Sequence, residues 1–489
     1  MDMESFTLKE RERSARNKIK NRPIRLMTYI MIVVFIGMCA NIIYFVVVDS
    51  ETVVANSANQ RQDSKSRYVK RGDIITSDGV VVATTDYDEE GNEYRYYPYG
   101  DLYAHTVGYD SYGKAGLELS QNYDLLDSHA SFPDKVKNDL KGEKNPGDSV
   151  VTTLDSNLQT AAANALYGCN GAVVVMDAST GDILAMYSNP TFDPNEMDYV
   201  WDSVHSEEGE SSTVLLNRAT QGLYAPGSTF KVITAMEYMM EHPDYEDYDY
   251  YCEGEDVFNS VSIRCSDSTV HGELGLSGSL AYSCNTSFAN IGINEIDMDS
   301  LRDFTEKLLF NEKLPFSGDY NESVFVMDGK SDKSLIAQTV IGQADTLVTP
   351  LHNALIMQTI ANGGVMMKPQ LVSCIKDSDG NVISETKPKA YNTIISTDIV
   401  KGIIPMLHEV CLSGTAARFM ADKPYSVAGK TGTAEYDNNG NCNSWFVGFS
   451  NIDDPDIVVS VIVEDYTTNQ TSGTYVASMI MDAYYYNNQ

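Results

Sequence analysis

Positive charge is scarce in this chain: 35 lysines and arginines stand against 69 aspartates and glutamates, a formal net charge of -34. A field of that sign repels polyanions, which excludes nucleic acid, or an acidic membrane face, as the main partner. Cysteine is sparse too, 8 in 489 residues, too few for a disulfide scaffold. Neither an internal repeat nor a low-complexity tract occurs, and one uncharged run alone is long enough to cross a bilayer. At about 150 residues per domain the length allows roughly two to three domains, one of them large.

The few cations are unevenly placed. Residues 1–25 hold eight of them against four acids, a net of +4, which leaves -38 on the rest. The run Leu26 to Val48 follows, 23 residues without a charge, enough for a hydrocarbon core about 30 Å thick. The basic flank predicts the orientation: residues 1–25 are a cytoplasmic tail, 26–48 an uncleaved transmembrane helix, and everything from Asp49 lies outside the cell in a single-pass arrangement. A cleaved signal peptide would have a shorter apolar core and a small-x-small site, which is not seen here.

Residues 49–147 are polar, Tyr-rich and full of turns, and read as a small irregular pedestal domain. From 148 to 489 the apolar pattern strengthens. "GAVVVMDASTGDILAMYS" predicts a β-hairpin, and "YSVAGKTGTAE", "NSWFVGFS" and "DIVVSVIVED" predict three later strands with antiparallel pairing. Between them, "STFKVITAMEYMM", "SGSLAYSCNTSFANIGI", "LRDFTEKLLF" and "TPLHNALIMQTIANGG" carry helical spacing. Strands at both ends and helices in the middle predict an α+β fold, an antiparallel sheet flanked by helices and closed by distant segments.

Three short motifs carry chemistry. In "YAPGSTFKVITA" a Pro-Gly turn precedes Ser228 at the mouth of a helix, where unpaired N–H groups favour developing negative charge. Lys231 follows at i+3 on the same face. It can deprotonate a serine only when neutral, and burial with a second cation would lower its pKa. "AYSCNTSFANIG" supplies Ser283 and Asn285, and "AGKTGTAE" supplies Lys430 as that second cation. Gly432 leaves a strand bare where a substrate backbone could pair, and Thr431 and Thr433 offer hydroxyls to a carboxylate. Taken singly, each motif also describes a capped helix, a solvated lysine or a plain strand.

In the order Ser-x-x-Lys, Ser-x-Asn, Lys-Thr-Gly they match the signature of penicillin-recognising serine enzymes. The chain resembles class B penicillin-binding proteins, membrane-anchored D,D-transpeptidases that cross-link peptidoglycan. "GDSVVTTLDSNLQTAA", "LNRATQGLYAPGSTFK", "IGQADTLVTPLHNALIMQTIANGG" and "WFVGFS" extend the resemblance over about residues 147–480. "RGDIITSDGVVVA" and "GKAGLELSQNYDLL" extend it more loosely into a short pedestal of the dimerisation-domain kind. The resemblance implies the transpeptidase fold shared with serine β-lactamases. It also implies that Ser228 is the nucleophile, Lys231 the general base, Ser283 a proton relay and Asn285 the holder of the acyl chain. Backbone N–H groups of Ser228 and Thr433 would form the oxyanion hole, and Lys430, Thr431 and Thr433 would bind the terminal carboxylate. No cofactor is required for that catalysis. Stem peptides are the implied substrate, β-lactams the implied inhibitors, and a SEDS-type glycan polymerase the implied membrane partner. A β-lactamase is the rival enzyme, but the deacylating Glu-x-x-Leu-Asn of its class A is not found. A non-catalytic sensor or scaffold is the other rival, and it would have lost Ser228, Lys231 or Lys430.

Cys252, Cys265, His271 and Cys284 lie in one segment, with Cys284 inside Ser-Cys-Asn. Three thiolates and an imidazole could complete a tetrahedral zinc shell, and some rod-elongation relatives carry a metal at the corresponding place. A Cys252–Cys265 disulfide, with Cys284 as a small buried filler, is the alternative. His105, His129, His205, His352 and His408 show no partners in the sequence, and Trp445 is expected to pack beside the third motif.

Overall fold

The computed structural model describes residues 3–44, 63–206, 209, 212–258, 261–436 and 440–487, in two units divided at residue 62. The first is a helix, α1 (Met3–Tyr44), with Pro23 between its charged and apolar parts. Its apolar part is uncharged, and side chains such as Val33 (68 % exposed) and Phe35 (67 %) face outward all round, an arrangement suited to lipid rather than water. Among the described residues one helix, this one, is long and apolar enough to cross a membrane. Residues 45–48 of the expected span, and 49–62 of the expected pedestal, lie outside the described residues.

The second unit opens with β1 (Val69–Lys70), β2 (Ile74–Ile75), β3 (Val81–Tyr87) and β4 (Glu93–Tyr96). Helix α2 (Phe132–Lys141) then leads to β5 (Asn145–Pro146) and β6 (Ser149–Thr152). Next come α3 (Ser156–Ala165), β7 (Gly171–Asp177), β8 (Ile183–Asn189) and α4 (Lys231–Glu241). A middle segment follows, with β9 (Tyr250–Cys252), β10 (Gly272–Leu274), α5 (Leu276–Ala281), α6 (Asn285–Asn290) and α7 (Pro350–Ala361). The chain ends with β11 (Val372–Lys376), β12 (Val382–Glu385), α8 (Thr397–Leu412), β13 (Val427–Glu435), β14 (Cys442–Ser450), β15 (Ile457–Val463) and α9 (Gly473–Asn487).

Two sheets organise these elements. The larger part of the core surrounds a five-stranded antiparallel sheet in the order β13-β14-β15-β7-β8. The expected hairpin β7–β8 forms because Asp177 Oδ1 accepts from the N–H groups of Ser179 and Thr180 and turns the chain. Every residue of β15, "IVVSVIV", is buried, so the strand is covered on both faces, which a continuous apolar run requires. Helix α7, buried at every position, packs against it, as does α9. The second sheet, in the order β12-β11-β6-β2-β3-β4, joins strands from both sides of residue 147, with β2 and β6 parallel.

A buried ion network ties β4 to the segment that follows β1. Arg71 Nε and Arg95 Nε each donate to Glu118, at 2.6 Å, and Arg71 Nη2 donates to the Glu118 carbonyl at 2.6 Å. Burial pushes the Glu118 carboxyl up, but Arg95 and Arg71 outweigh it and hold it below its usual range.

Candidate active site

The first motif is a tight 3-10 turn, Gly227–Thr229, running into α4, whose first residue is Lys231. Residues three apart across this turn and the start of the helix lie on one side, which puts Lys231 on the side of Ser228. The turn is seated on β13. Gly227 has φ +53, and a Cβ there would stand 2.6 Å from the Thr433 carbonyl oxygen. A Cβ on Gly432 would meet the Pro226 oxygen and Trp445 Cβ, each at 3.0 Å. The two glycines are thus what lets the serine turn and the Lys-Thr-Gly strand touch. Trp445, opposite Gly432 in the sheet register, donates from Nε1 to the Ala225 carbonyl at 3.0 Å and so packs where it was expected.

The second motif lies between α5 and α6. Lys231 Nζ donates to the Ser283 carbonyl at 2.7 Å and to Asn285 Oδ1 at 2.6 Å, and stands 3.3 Å from Ser283 Oγ. Lys430 Nζ reaches the same hydroxyl at 3.0 Å. Ser283 has φ +55, a left-handed backbone that costs a non-glycine residue about 1–2 kcal/mol and points its carbonyl and hydroxyl at the lysines. Ser228, Ser283 and Asn285 are half-buried, whereas both lysines are fully buried.

Burial of Lys231 lowers its pKa to about 7, so a large fraction is a neutral base at physiological pH. Burial also pushes Lys430 far down, and the Lys231 charge pushes it further. The expected effect of a second cation therefore falls on Lys430, while desolvation dominates at Lys231. Lys430 also faces differently from expectation. Alternation along β13 buries Lys430 and Gly432 and leaves Thr431 half-buried and Thr433 exposed; Lys430 turns to Ser283, and the two threonines share the opposite face. Thr415, not singled out in the sequence, joins them: its Oγ1 is 2.6 Å from Thr431 Oγ1.

The cysteine and histidine cluster backs onto the second motif. Pairing of β9 with β10 sets Cys252 opposite Gly272 and so beside His271. The ligand atoms of Cys252, Cys265, His271 and Cys284 all lie within 4.8 Å of one another. Cys252–Cys265 and Cys265–Cys284 are 3.7 Å apart at sulfur, and His271 Nδ1 is 3.3 Å from Cys252 Sγ. Those sulfur separations match the edge of a tetrahedron with metal–sulfur bonds of about 2.3 Å. All eight cysteines are free thiols, so the structure has no Cys252–Cys265 bond. The hydrogen bond between Cys284 and Cys265 holds the Cys265 thiol below its ordinary value and raises that of Cys284, so the pair shares one proton.

The remaining histidines have structural partners that the sequence did not disclose. His105 Nε2 donates to the Val214 carbonyl and His352 Nε2 to the Leu308 carbonyl, and burial lowers both to about 4. His129 contacts Asp148, while His205 and His408 donate to the carbonyls of Trp201 and Val427.

Residues 171–484 match the penicillin binding protein transpeptidase domain, and residues 71–150 match the penicillin binding protein A dimerisation domain. The peptidoglycan D,D-transpeptidase PbpA of Mycolicibacterium smegmatis is 28 % identical over 483 residues, 91 % of this chain and 94 % of that protein. The D,D-transpeptidase domain of a peptidoglycan glycosyltransferase from Eggerthella lenta superposes with a TM-score of 0.76 at 31 % identity, covering 86 % of this chain and 98 % of that one. Penicillin-binding protein A from M. tuberculosis, in an imipenem acyl-enzyme complex, superposes with a TM-score of 0.77 at 27 % identity, covering 86 % and 99 %. The chain belongs to the penicillin-binding protein transpeptidase family.

Proposed function

We propose that this protein is a serine D,D-transpeptidase that cross-links peptidoglycan stem peptides through an acyl-enzyme and is acylated by β-lactams. The observation that carries the reading is the convergence of two buried lysine amines on Ser283 Oγ, next to the Ser228 turn seated on Gly432. A neutral Lys231 donates its two N–H bonds to the Ser283 carbonyl and Asn285, which leaves its lone pair for the Ser228 proton. Ser228 Oγ attacks the carbonyl between two terminal D-alanines while that proton moves to Lys231. Ser283, polarised by Lys430, passes its proton to the departing D-alanine amine and takes the one held on Lys231, 3.3 Å away, so that Lys231 is neutral again in the acyl-enzyme. Backbone N–H groups of Ser228 and Thr433 hold the oxyanion, an interaction worth about 3–4 kcal/mol elsewhere. Thr431 and Thr433 bind the terminal carboxylate. A second stem peptide's amine then attacks the ester, forms the cross-link and returns the proton through Lys231 to Ser228.

The wider assignment follows the same reading. Residues 1–25 lie in the cytoplasm, 26–48 span the membrane, 49–147 form a pedestal and 148–489 the transpeptidase domain outside the cell, with a SEDS-type glycan polymerase as membrane partner. Cys252, Cys265, His271 and Cys284 hold a structural zinc that fixes the Ser283–Asn285 loop; the clustering of their ligand atoms and the sulfur spacing support it. Purified protein is expected to contain one zinc per chain, and thiol counting after denaturation to find every cysteine reduced; a Cys252–Cys265 disulfide without metal would refute this.

Fluorescent penicillin should label the intact protein and not Ser228→Ala. Labelling of Ser228→Ala equal to the parent would overturn the mechanism. Reaction with lipid-linked glycan strands, with and without an amine acceptor, separates transpeptidation from hydrolysis of the same acyl-enzyme.

A further inference from the structure

Helix α2 turns its apolar face away from the protein. Phe132, Val136 and Leu140 recur every four residues and share one face, and they are 79 %, 40 % and 84 % exposed. The side toward the body is polar instead: Asn138 Nδ2 donates to Asn145 Oδ1 at 3.2 Å, and Lys135 Nζ to the Ser128 carbonyl at 2.7 Å. The segment is nonetheless specified as a helix. Ser131 caps its N-terminus, Pro133 sits in the first turn, and Gly142 closes it in the left-handed region. A capped helix that presents an apolar stripe to the outside is a candidate contact surface.

Its place in the chain says what it contacts. Helix α2 leads straight into β5, which pairs with β1, the first strand beyond the undescribed stretch. Asn145 N–H donates to the Tyr68 carbonyl at 2.9 Å, and the Tyr68 side chain is 72 % exposed. In the sequence, residues 49–67 alone separate Tyr68 from the uncharged run ending at Val48. Charge points the same way. Residues 135–144 hold four of the nineteen lysines beyond residue 48 against Asp139 and Glu143, a net positive stretch in an otherwise acidic outer chain; Lys137 and Lys141 are exposed on α2, Lys141 with Glu143 at 3.4 Å. Apolar residues on one side, flanking lysines whose stems can lie along them, and a nearby tyrosine are the composition of a helix lying in a membrane interface.

We infer that α2 is a second membrane contact of this protein. Phe132, Val136 and Leu140 enter the boundary between headgroups and acyl chains of the bilayer that holds the apolar run, and Lys137 and Lys141 meet lipid phosphates. The inference rests on residues 26–48 spanning that bilayer, and it is independent of the acyl-transfer chemistry.

The test uses the full chain carrying Phe132→Trp, in vesicles of phosphatidylethanolamine and phosphatidylglycerol with brominated acyl chains. The parent's emission, from Trp201 and Trp445, is subtracted. The added indole is expected to emit at shorter wavelength than in water and to lose roughly twofold or more of its intensity to bromine, as an interfacial side chain does. Adding Val136→Glu and Leu140→Glu should abolish both effects, while fluorescent-penicillin labelling in detergent stays at the parent's level and shows the variant folded. An unquenched indole with the emission of an exposed side chain would overturn the inference. So would an unquenched indole accompanied by loss, in the double variant, of a co-purifying multi-spanning membrane protein, which would reassign the face to that protein.

Discussion

Burial turns Lys231 from an ammonium into a base, and its pKa near 7 sets the working range of the enzyme. The acylation rate by a penicillin should therefore rise with pH, by about tenfold per unit below pH 6, and level off above about 8, because only neutral Lys231 can accept the Ser228 proton. Stopped-flow acylation across pH 5 to 9 measures it; a flat profile would remove Lys231 as the base. The stability consequence has a definite sign. An unfolded chain keeps this lysine protonated up to its ordinary value of 10.5, so unfolding takes up a proton between about pH 7 and 10.5. Its contribution to stability rises with pH across that window and is constant below it. Ser283 offers a cleaner separation of chemistry from folding. Its hydroxyl is the proposed relay, but its φ of +55 suits glycine. Ser283→Gly and Ser283→Ala should both lose about 100-fold or more in acylation, while Ser283→Gly unfolds with about 1 kcal/mol more stability than Ser283→Ala in urea titration.

Among the elements, those whose residues announce themselves locally were legible in the sequence. The hairpin β7–β8, the three late strands, the helices of the middle segment and the Ser228, Ser283 and Lys430 motifs follow from periodicity and short spacing. What was not legible depends on partners far along the chain. Nothing in the sequence signals that Lys430 turns to Ser283 while Thr431 turns to Thr415, because strand facing is set by what β13 packs against. The Arg71–Glu118–Arg95 network was equally hidden: Glu118 lies 47 residues from one arginine and 23 from the other. That network carries a prediction for the N-terminal strands. Glu118→Gln leaves two guanidinium groups buried without their counter-charge, at a cost of about 3–5 kcal/mol. Because the network is remote in sequence from all three motifs, the variant that still folds at low temperature should acylate at the parent's rate. A lowered urea midpoint with unchanged acylation is the expected pair of results.

At the scale of the whole molecule, the catalytic sheet is assembled from opposite ends of the outer chain. Strands β7 and β8 precede the serine turn, and β13, β14 and β15 come some 250 residues later, with β15 inserted between β14 and β7. Strand β15 is buried throughout and pairs along its length with both neighbours, so it is the seam between the two halves of the fold. Lys430 stands on β13 and the Ser228 turn rests on that strand, so the site exists only after the seam has closed. Non-local pairing of this kind makes folding slow and leaves apolar edges exposed until the last segment arrives. A chain ending at residue 455 keeps Ser228, Lys231, Ser283, Asn285 and Lys430, yet lacks β15 and α9. It is expected to be insoluble and to take up no fluorescent penicillin, whereas co-expression with a separate segment 456–489 should restore some labelling. Labelling of the truncated chain by itself would mean that the three motifs can converge without the seam.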